Sequence, residues 1–134
     1  SSFQIEPDIA IAVDVTFTSD IPGVDKRAFG DVSLGKGPCL ALGAAVHPKV
    51  NSMLRDLAKK HKIPIQLEIS PGRTGTDADA IHASRGGVAT AVLSIPNRYM
   101  HSPNEVISLS DLDNAVKLLV EFVKLIDDKT DLSR

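Results

Sequence analysis

Two residues in this chain have the side-chain type and the position to bind a metal: Asp14 and His101. Asp14 stands near the C-terminal end of the apolar run I-A-I-A-V-D-V (Ile9 to Val15), between Val13 and Val15. An ionised carboxylate in such surroundings is costly unless it is paired, hydrogen-bonded or bound to a cation. Capping a turn, or pairing with a nearby basic residue, is the alternative use. His101 follows the apolar run Val88 to Ile95 across the turn P-N-R-Y-M. Its alternative is an ordinary polar loop residue. Together the two offer a hard oxygen and an imidazole nitrogen, a mixture suited to zinc or cobalt. A catalytic zinc normally has three protein ligands and an open position, so two donors do not complete a site. The other histidines have structural explanations: His47 borders a helix start, His61 a helix end, and His82 a short helix.

The loop G-R-T-G-T-D-A-D (Gly72 to Asp79) is a further candidate. Its glycines permit close backbone approach and its amides open a helix, where an anion could rest; a plain strand-to-helix turn capped by Thr76 or Asp77 is the alternative. The G-K-G of Gly35 to Gly37 lacks the phosphate-loop spacing, and Lys36 is followed by Gly37 rather than Ser or Thr. No C-x-x-C, H-E-x-x-H or G-x-S-x-G is present, which removes the common zincin and serine-hydrolase readings.

The elements that must hold these residues alternate between strand and helix. Ile9 to Val15 is nearly continuous apolar and β-branched, as for a strand covered on both faces. Pro22, Gly23, Gly30, Gly35 and Gly37 mark a long connection, and Pro38 to Ala45 reads as a second strand. Pro48 opens a helix whose stripe is Val50, Met53, Leu54, Leu57, Ala58 and His61, with Lys59, Lys60, His61 and Lys62 at the end where the helix dipole favours positive charge and Pro64 as a stop. Ile65 to Ile69 alternates as a half-buried strand with one polar face. A short helix is expected over Ala78 to Ser84, ended by Gly86-Gly87. Val88 to Ile95 is a buried strand stopped by Pro96. Ser110 and Asp113 stand at capping-box spacing ahead of a last helix. Its inward stripe is Leu112, Ala115, Val116, Leu119, Phe122, Val123 and Ile126, broadened by Leu118, Val120 and Leu125; the tail beyond Asp128 is polar and expected to fray. The pattern predicts an α/β fold, a mixed sheet flanked by helices, in one domain over residues 1–134.

Composition agrees. The 134 residues are 43% hydrophobic and 24% charged, an ordinary globular mix that can build a core. A formal net charge of -2 argues against nucleic-acid or anionic-membrane partners. No run of about 18 apolar residues occurs, and no export signal opens the chain. A lone Cys39 favours a reducing, cytoplasmic setting. The chain starts Ser1-Ser2-Phe3, without an initiator Met.

Four segments in order carry a resemblance: A-I-A-V-D-V-T (Ala10 to Thr16), L-G-K-G-P (Leu34 to Pro38), G-R-T-G-T-D-A (Gly72 to Ala78) and S-I-P-N-R-Y-M-H-S-P-N-E (Ser94 to Glu105). Together they resemble the tetrahedral (TET) aminopeptidases, a family also known as glutamyl aminopeptidases or endoglucanase-M-like proteins. The resemblance runs from about Pro7 to the final helix. It implies a partial zinc-peptidase-like catalytic domain that binds two divalent metals, zinc or cobalt, and releases N-terminal residues from peptides. By motif, Asp14 is a carboxylate ligand to one metal and His101 the imidazole ligand to the other. The resemblance also sets Gly75 and Thr76 near the substrate.

It further implies what this chain lacks. Family members are more than twice as long, and their N-terminal half supplies another His ligand, a metal-bridging Asp, a Glu general base and a neighbouring Glu ligand, together with an inserted domain used in assembly. No catalytic residue is therefore expected in this chain, and the general base is expected upstream of Ser1. Without bridging carboxylate and base, the chain alone is expected to be inactive, with its first strand left as an exposed edge. The expected partners are peptide substrates, the N-terminal half or a companion chain, and further copies in a homo-oligomer. A non-catalytic remnant or association module of the same fold is the alternative, and a free-standing small-molecule-binding domain has no motif in its favour. Nothing supports a glycosidase, for which no acidic pair is suitably placed.

Overall fold

The computed structural model describes residues 2–133. In chain order the elements are α1 (Ser2–Ile5), β1 (Ile9–Phe17), α2 (Lys26–Phe29), β2 (Cys39–Leu42), α3 (Pro48–His61), β3 (Gln66–Ile69), α4 (Ala78–Ile81), β4 (Ala89–Arg98), β5 (Val106–Ile107) and α5 (Leu109–Leu125). The strands form one mixed sheet in the order β1-β4-β2-β3, with β5 on the end of β4. β1 runs parallel to β4 and β2 parallel to β3, while β2 and β4 are antiparallel. The register aligns Asp14 with Ser94, Ser94 with Cys39, and Cys39 with Gln66, one row across the sheet.

The two faces differ. On one, Leu40, Ala91, Leu93 and Ile95 meet Val50, Leu54 and Leu57 of α3 and Ala115, Leu118 and Phe122 of α5. On the other, Ala12, Ala41 and Val92 meet Ala78 of α4 and Val46. The expected sheet with helices on its faces is what forms. Leu40, Leu54, Leu93 and Leu118 are fully buried, and truncating such a leucine to alanine costs about 2–5 kcal/mol.

Several local expectations are corrected. Pro96 does not stop β4, which continues through it to Arg98. Asn97 accepts from Thr18 N on the β1 side. In an extended chain the missing donor of Pro96 therefore faces the other side, beyond the last β2–β4 pair, Cys39 with Ser94. β2 ends at Leu42 rather than Ala45, and at Gly43 the chain passes so close to Ser70 that a Cβ would lie 1.8 Å from Ser70 O. The helix expected over 78–84 is one turn, followed by successive turns closed by Ser84 N to Ile81 O and Gly87 N to Ser84 O.

β3 turns its polarity around. Leu67 and Ile69 are exposed, whereas the side chains of Gln66 and Glu68 are tied inward by hydrogen bonds. α5 starts at Leu109 with Ser108 as N-cap and no side-chain capping bond, so the Ser110–Asp113 box does not form. Asp111 is drawn inward instead, its two carboxylate oxygens accepting from Gly35 N and Gly37 N at 2.8 Å each. That anchors the buried side of α5 on Asp111, Ala115, Leu118 and Phe122. It leaves Leu112, Val116, Val120 and Val123, part of the expected inward stripe, exposed. The tail does not simply fray: Leu132 packs against the core and Lys49 pairs with Asp131.

Candidate functional site

Side chains alternate along a strand, so Ala12, Asp14 and Thr16 share one face of β1. Ala12 on that face is packed by Ala78, which brings α4 and the loop before it over the side of the sheet that carries Asp14. Asp14 itself is exposed; its Oδ1 accepts from Val15 N at 2.8 Å, and among the described residues no ion pair holds it. The titratable group felt from Asp14 is another acid, Glu68. The Glu68 carboxyl is pushed above the usual range chiefly by burial and further by the charge of Asp14, with the hydroxyls of Thr16 and Ser94 pulling the other way. Thr16 Oγ1 donates to Glu68 Oε1 at 2.8 Å. Sequence reading missed Glu68. Its only signal was a polar position in the alternating Q-L-E-I, which reads equally well as a solvent-facing residue.

Next to this group lies an open groove of about 800 Å³ between the end of β1, the loop that follows it and β3, lined by Thr16, Phe17, Ile21, Val32, Glu68 and Ile69. Its walls are mostly apolar, with the half-buried Glu68 carboxyl and the Lys26 and Arg27 side chains among them, a lining suited to a small organic side chain.

His101 lies in the turn between β4 and β5, exposed, and in the left-handed region with φ +67°. Tyr99 is also left-handed, at +61°. Such conformations in non-glycine residues cost on the order of 1–3 kcal/mol each and persist where neighbours hold them. Two carboxylates do so here. At the base of the turn, Arg98 Nε and Nη2 donate to Asp20 Oδ1 and Oδ2 at 3.0 and 2.8 Å, and Leu34 N donates to Asp20 Oδ2. Arg98 first, then Leu34 N, hold the Asp20 carboxyl well below the ordinary range, against the upward pull of burial. Across the turn, Glu105 Oε1 accepts from His101 N at 2.6 Å and Oε2 from Asn97 Nδ2 at 2.8 Å, bonds that also lower the Glu105 pKa. The His101 ring meets the Phe17 ring edge-on at 5.6 Å between centroids. Phe17 is three residues beyond Asp14 on β1, so this contact sets the His101 ring against the end of the Asp14 strand.

In the Gly72–Asp79 loop, Asp79 is the organising residue, not Asp77. Asp79 accepts from Thr74 N, Thr74 Oγ1 and Gly75 N, and Thr74 N heads the bonds that depress its pKa. Thr76 Oγ1 accepts from Ala78 N, whereas Asp77 makes no side-chain cap. Gly75 has φ +73° and open space where a Cβ would stand. No hydrogen bond joins this loop to Asp14 or His101 among the described residues.

As donors, the Asp14 carboxylate and the His101 imidazole suit a zinc- or cobalt-type ion. Among the described residues, however, no group of three or more His, Cys, Asp or Glu side chains could hold a metal. The donor types fit a metal centre, and the set is partial. Also among the described residues, no helix is long and apolar enough to cross a membrane.

Comparison with known proteins locates this arrangement. The family model for M42 glutamyl aminopeptidase matches residues 1–118. The lysyl aminopeptidase of Pyrococcus furiosus is 45% identical over 130 residues, which cover 95% of this chain and 37% of that protein. Among solved structures, an aminopeptidase of the archaeon Desulfurococcus kamchatkensis is 42% identical with a TM-score of 0.85, covering 93% of this chain and 36% of its own. The TET1 peptidase of Pyrococcus horikoshii, described as able to assemble into a tetrahedron or a large octahedral shell, is 30% identical with a TM-score of 0.60, covering 85% and 32%. The chain thus spans about a third of the length of the relatives it matches.

Proposed function

This chain belongs to the M42 glutamyl aminopeptidase family, and on that premise we propose that it is a portion of a dinuclear-metal aminopeptidase that contributes part of the metal site. Asp14 supplies a carboxylate to one metal, zinc or cobalt, and His101 supplies an imidazole to the other. When bound, such a pair polarises a scissile carbonyl and lowers the pKa of water. The observation that carries the reading is Asp14. It is an exposed carboxylate late on a sheet strand, without a basic partner among the described residues, and its charge raises the pKa of the half-buried acid Glu68, a like-charge pairing that a bound cation would relieve.

The chain's own residues bind and orient. Asp14 and His101 hold the metals, and the groove beside Glu68 receives a peptide's N-terminal residue. In the loop of Gly75 and Thr76, peptide backbone can approach at Gly75, which carries no Cβ and has open space in its place. The remaining ligands and the general base come from the part of a relative-length polypeptide that this chain does not span, or from a companion chain. The exposed Val13, Val15 and Phe17 on β1, an end strand of the sheet described here, with Leu112, Val116 and Val120 on α5, offer that part an apolar seat. The P. horikoshii relative, whose subunits can assemble into a shell, supports assembly into a homo-oligomer. The partial donor set favours one alternative, an association module of the same fold without catalysis.

The test is turnover of aminoacyl-anilides by the natural-length protein, with and without chelator, in wild type and Asp14→Ala. Turnover that is lost to chelator and restored by zinc or cobalt in wild type, but absent from D14A, supports the metal-site reading. Absence of turnover from metal-loaded wild type supports the association module.

A further inference from the structure

The turn that carries His101 is tied at its backbone, while among the described residues the imidazole is held by contact and charge alone. No hydrogen bond engages the ring among the described residues; its neighbour is the Phe17 edge. The backbone, by contrast, is held at a left-handed φ by a carboxylate four residues on. Glu105 bridges the His101 amide and the side chain of Asn97, which is 2% exposed and in register with Phe17 on one side and Ile107 on the other. Glu105 is itself fixed, because β5 begins at the next residue and pairs Val106 with Arg98. Core, carboxylate, amide and imidazole thus form one connected path that ends at the ring.

We propose that Glu105 is the positioning residue for His101: by clamping the His101 amide to the buried Asn97, it presents the imidazole as a preformed ligand and sets how tightly metal binds there. This rests on the metal reading of His101 given above. A turn closed merely for stability would use the same hydrogen bonds without affecting affinity, so affinity is the quantity to measure.

The experiment is competition between a fluorescent zinc chelator and the natural-length protein, in wild type, Glu105→Ala, Glu105→Gln and His101→Ala, with metal-free thermal unfolding followed alongside. His101→Ala is expected to lose one tight zinc. Glu105→Ala is expected to weaken that zinc by about 10- to 100-fold, the usual effect of removing a partner behind a ligand. Glu105→Gln keeps a single acceptor oxygen and is expected to fall between wild type and Glu105→Ala; it also serves if the alanine variant does not fold. Two outcomes overturn the proposal. If His101→Ala loses a zinc while both Glu105 variants bind it as wild type does, Glu105 only closes a turn, whatever the melting temperature does. If His101→Ala keeps every zinc at wild-type affinity, the metal reading of His101 fails and the positioning role fails with it.

Discussion

Replacing Asp111 with asparagine should cost this fold more than any conservative surface change. Asp111 is fully buried at the start of α5, and its oxygens accept from Gly35 N and Gly37 N, each at 2.8 Å. Those two amides belong to the L-G-K-G loop, where both glycines have positive φ and a Cβ on Gly37 would stand 2.0 Å from Pro64 O. A hydrogen bond to a charged acceptor contributes about 1.5–3 kcal/mol. Asparagine keeps one acceptor and turns an N–H₂ toward the other amide, so Asp111→Asn should cost about 2–3 kcal/mol, and Asp111→Ala about 3–6 kcal/mol, near the total of a marginal domain. Urea unfolding followed by circular dichroism reads this directly. With an m-value of about 1–3 kcal/mol/M, the asparagine variant should lower the midpoint by roughly 1 M. A loss below about 0.5 kcal/mol would refute the reasoning, since the carboxylate would then not be what ties the loop to α5.

Further expectations follow from the same contacts. The Asp20 carboxyl is held below its ordinary range mainly by Arg98. A depressed folded-state pKa contributes stability above the unfolded value of about 3.9. The wild-type advantage over Asp20→Asn, roughly 1–2 kcal/mol near neutrality, should therefore shrink as pH falls below about 4; urea midpoints at pH 7 and pH 3 check the sign. The thiol of Cys39 is fully buried and its pKa is pushed up to about 12 by burial first, then by Glu68 and Asp111. Native protein should resist iodoacetamide at pH 8 while urea-unfolded protein reacts; mass spectrometry would expose fast native alkylation. The 134-residue chain alone should not hydrolyse aminoacyl-anilides with zinc or cobalt added, and turnover that tracks added metal would overturn that.

What could be read from sequence depended on whether a signal was local. α3 was legible because Pro48, its stripe and the run of lysines all lie in one stretch, though buried Asn51, which donates to Ala41 O, gave no sign of itself. α5 was legible as a helix but not in its rotation: it has apolar residues on two sides, and a single distant contact, Asp111 to the glycine loop, decides which side turns inward. β3 was inverted for the same reason, since Gln66 is held by Ser33 and Gly37, more than twenty residues earlier in the chain. At the site, Asp14 and His101 were visible as an odd carboxylate in a strand and a histidine after one. Glu68, Asn97 and Glu105 were not, because their roles exist only once β1, β3, β4 and β5 are side by side.

The most direct test of the account is native mass spectrometry of the natural-length protein, counting metals per chain in wild type, Asp14→Ala and His101→Ala. The account predicts two zinc or cobalt ions in wild type, as a two-metal site requires, and one fewer in each variant. Two metals retained in both variants would contradict it and leave Asp14 and His101 as ordinary residues of a shared fold.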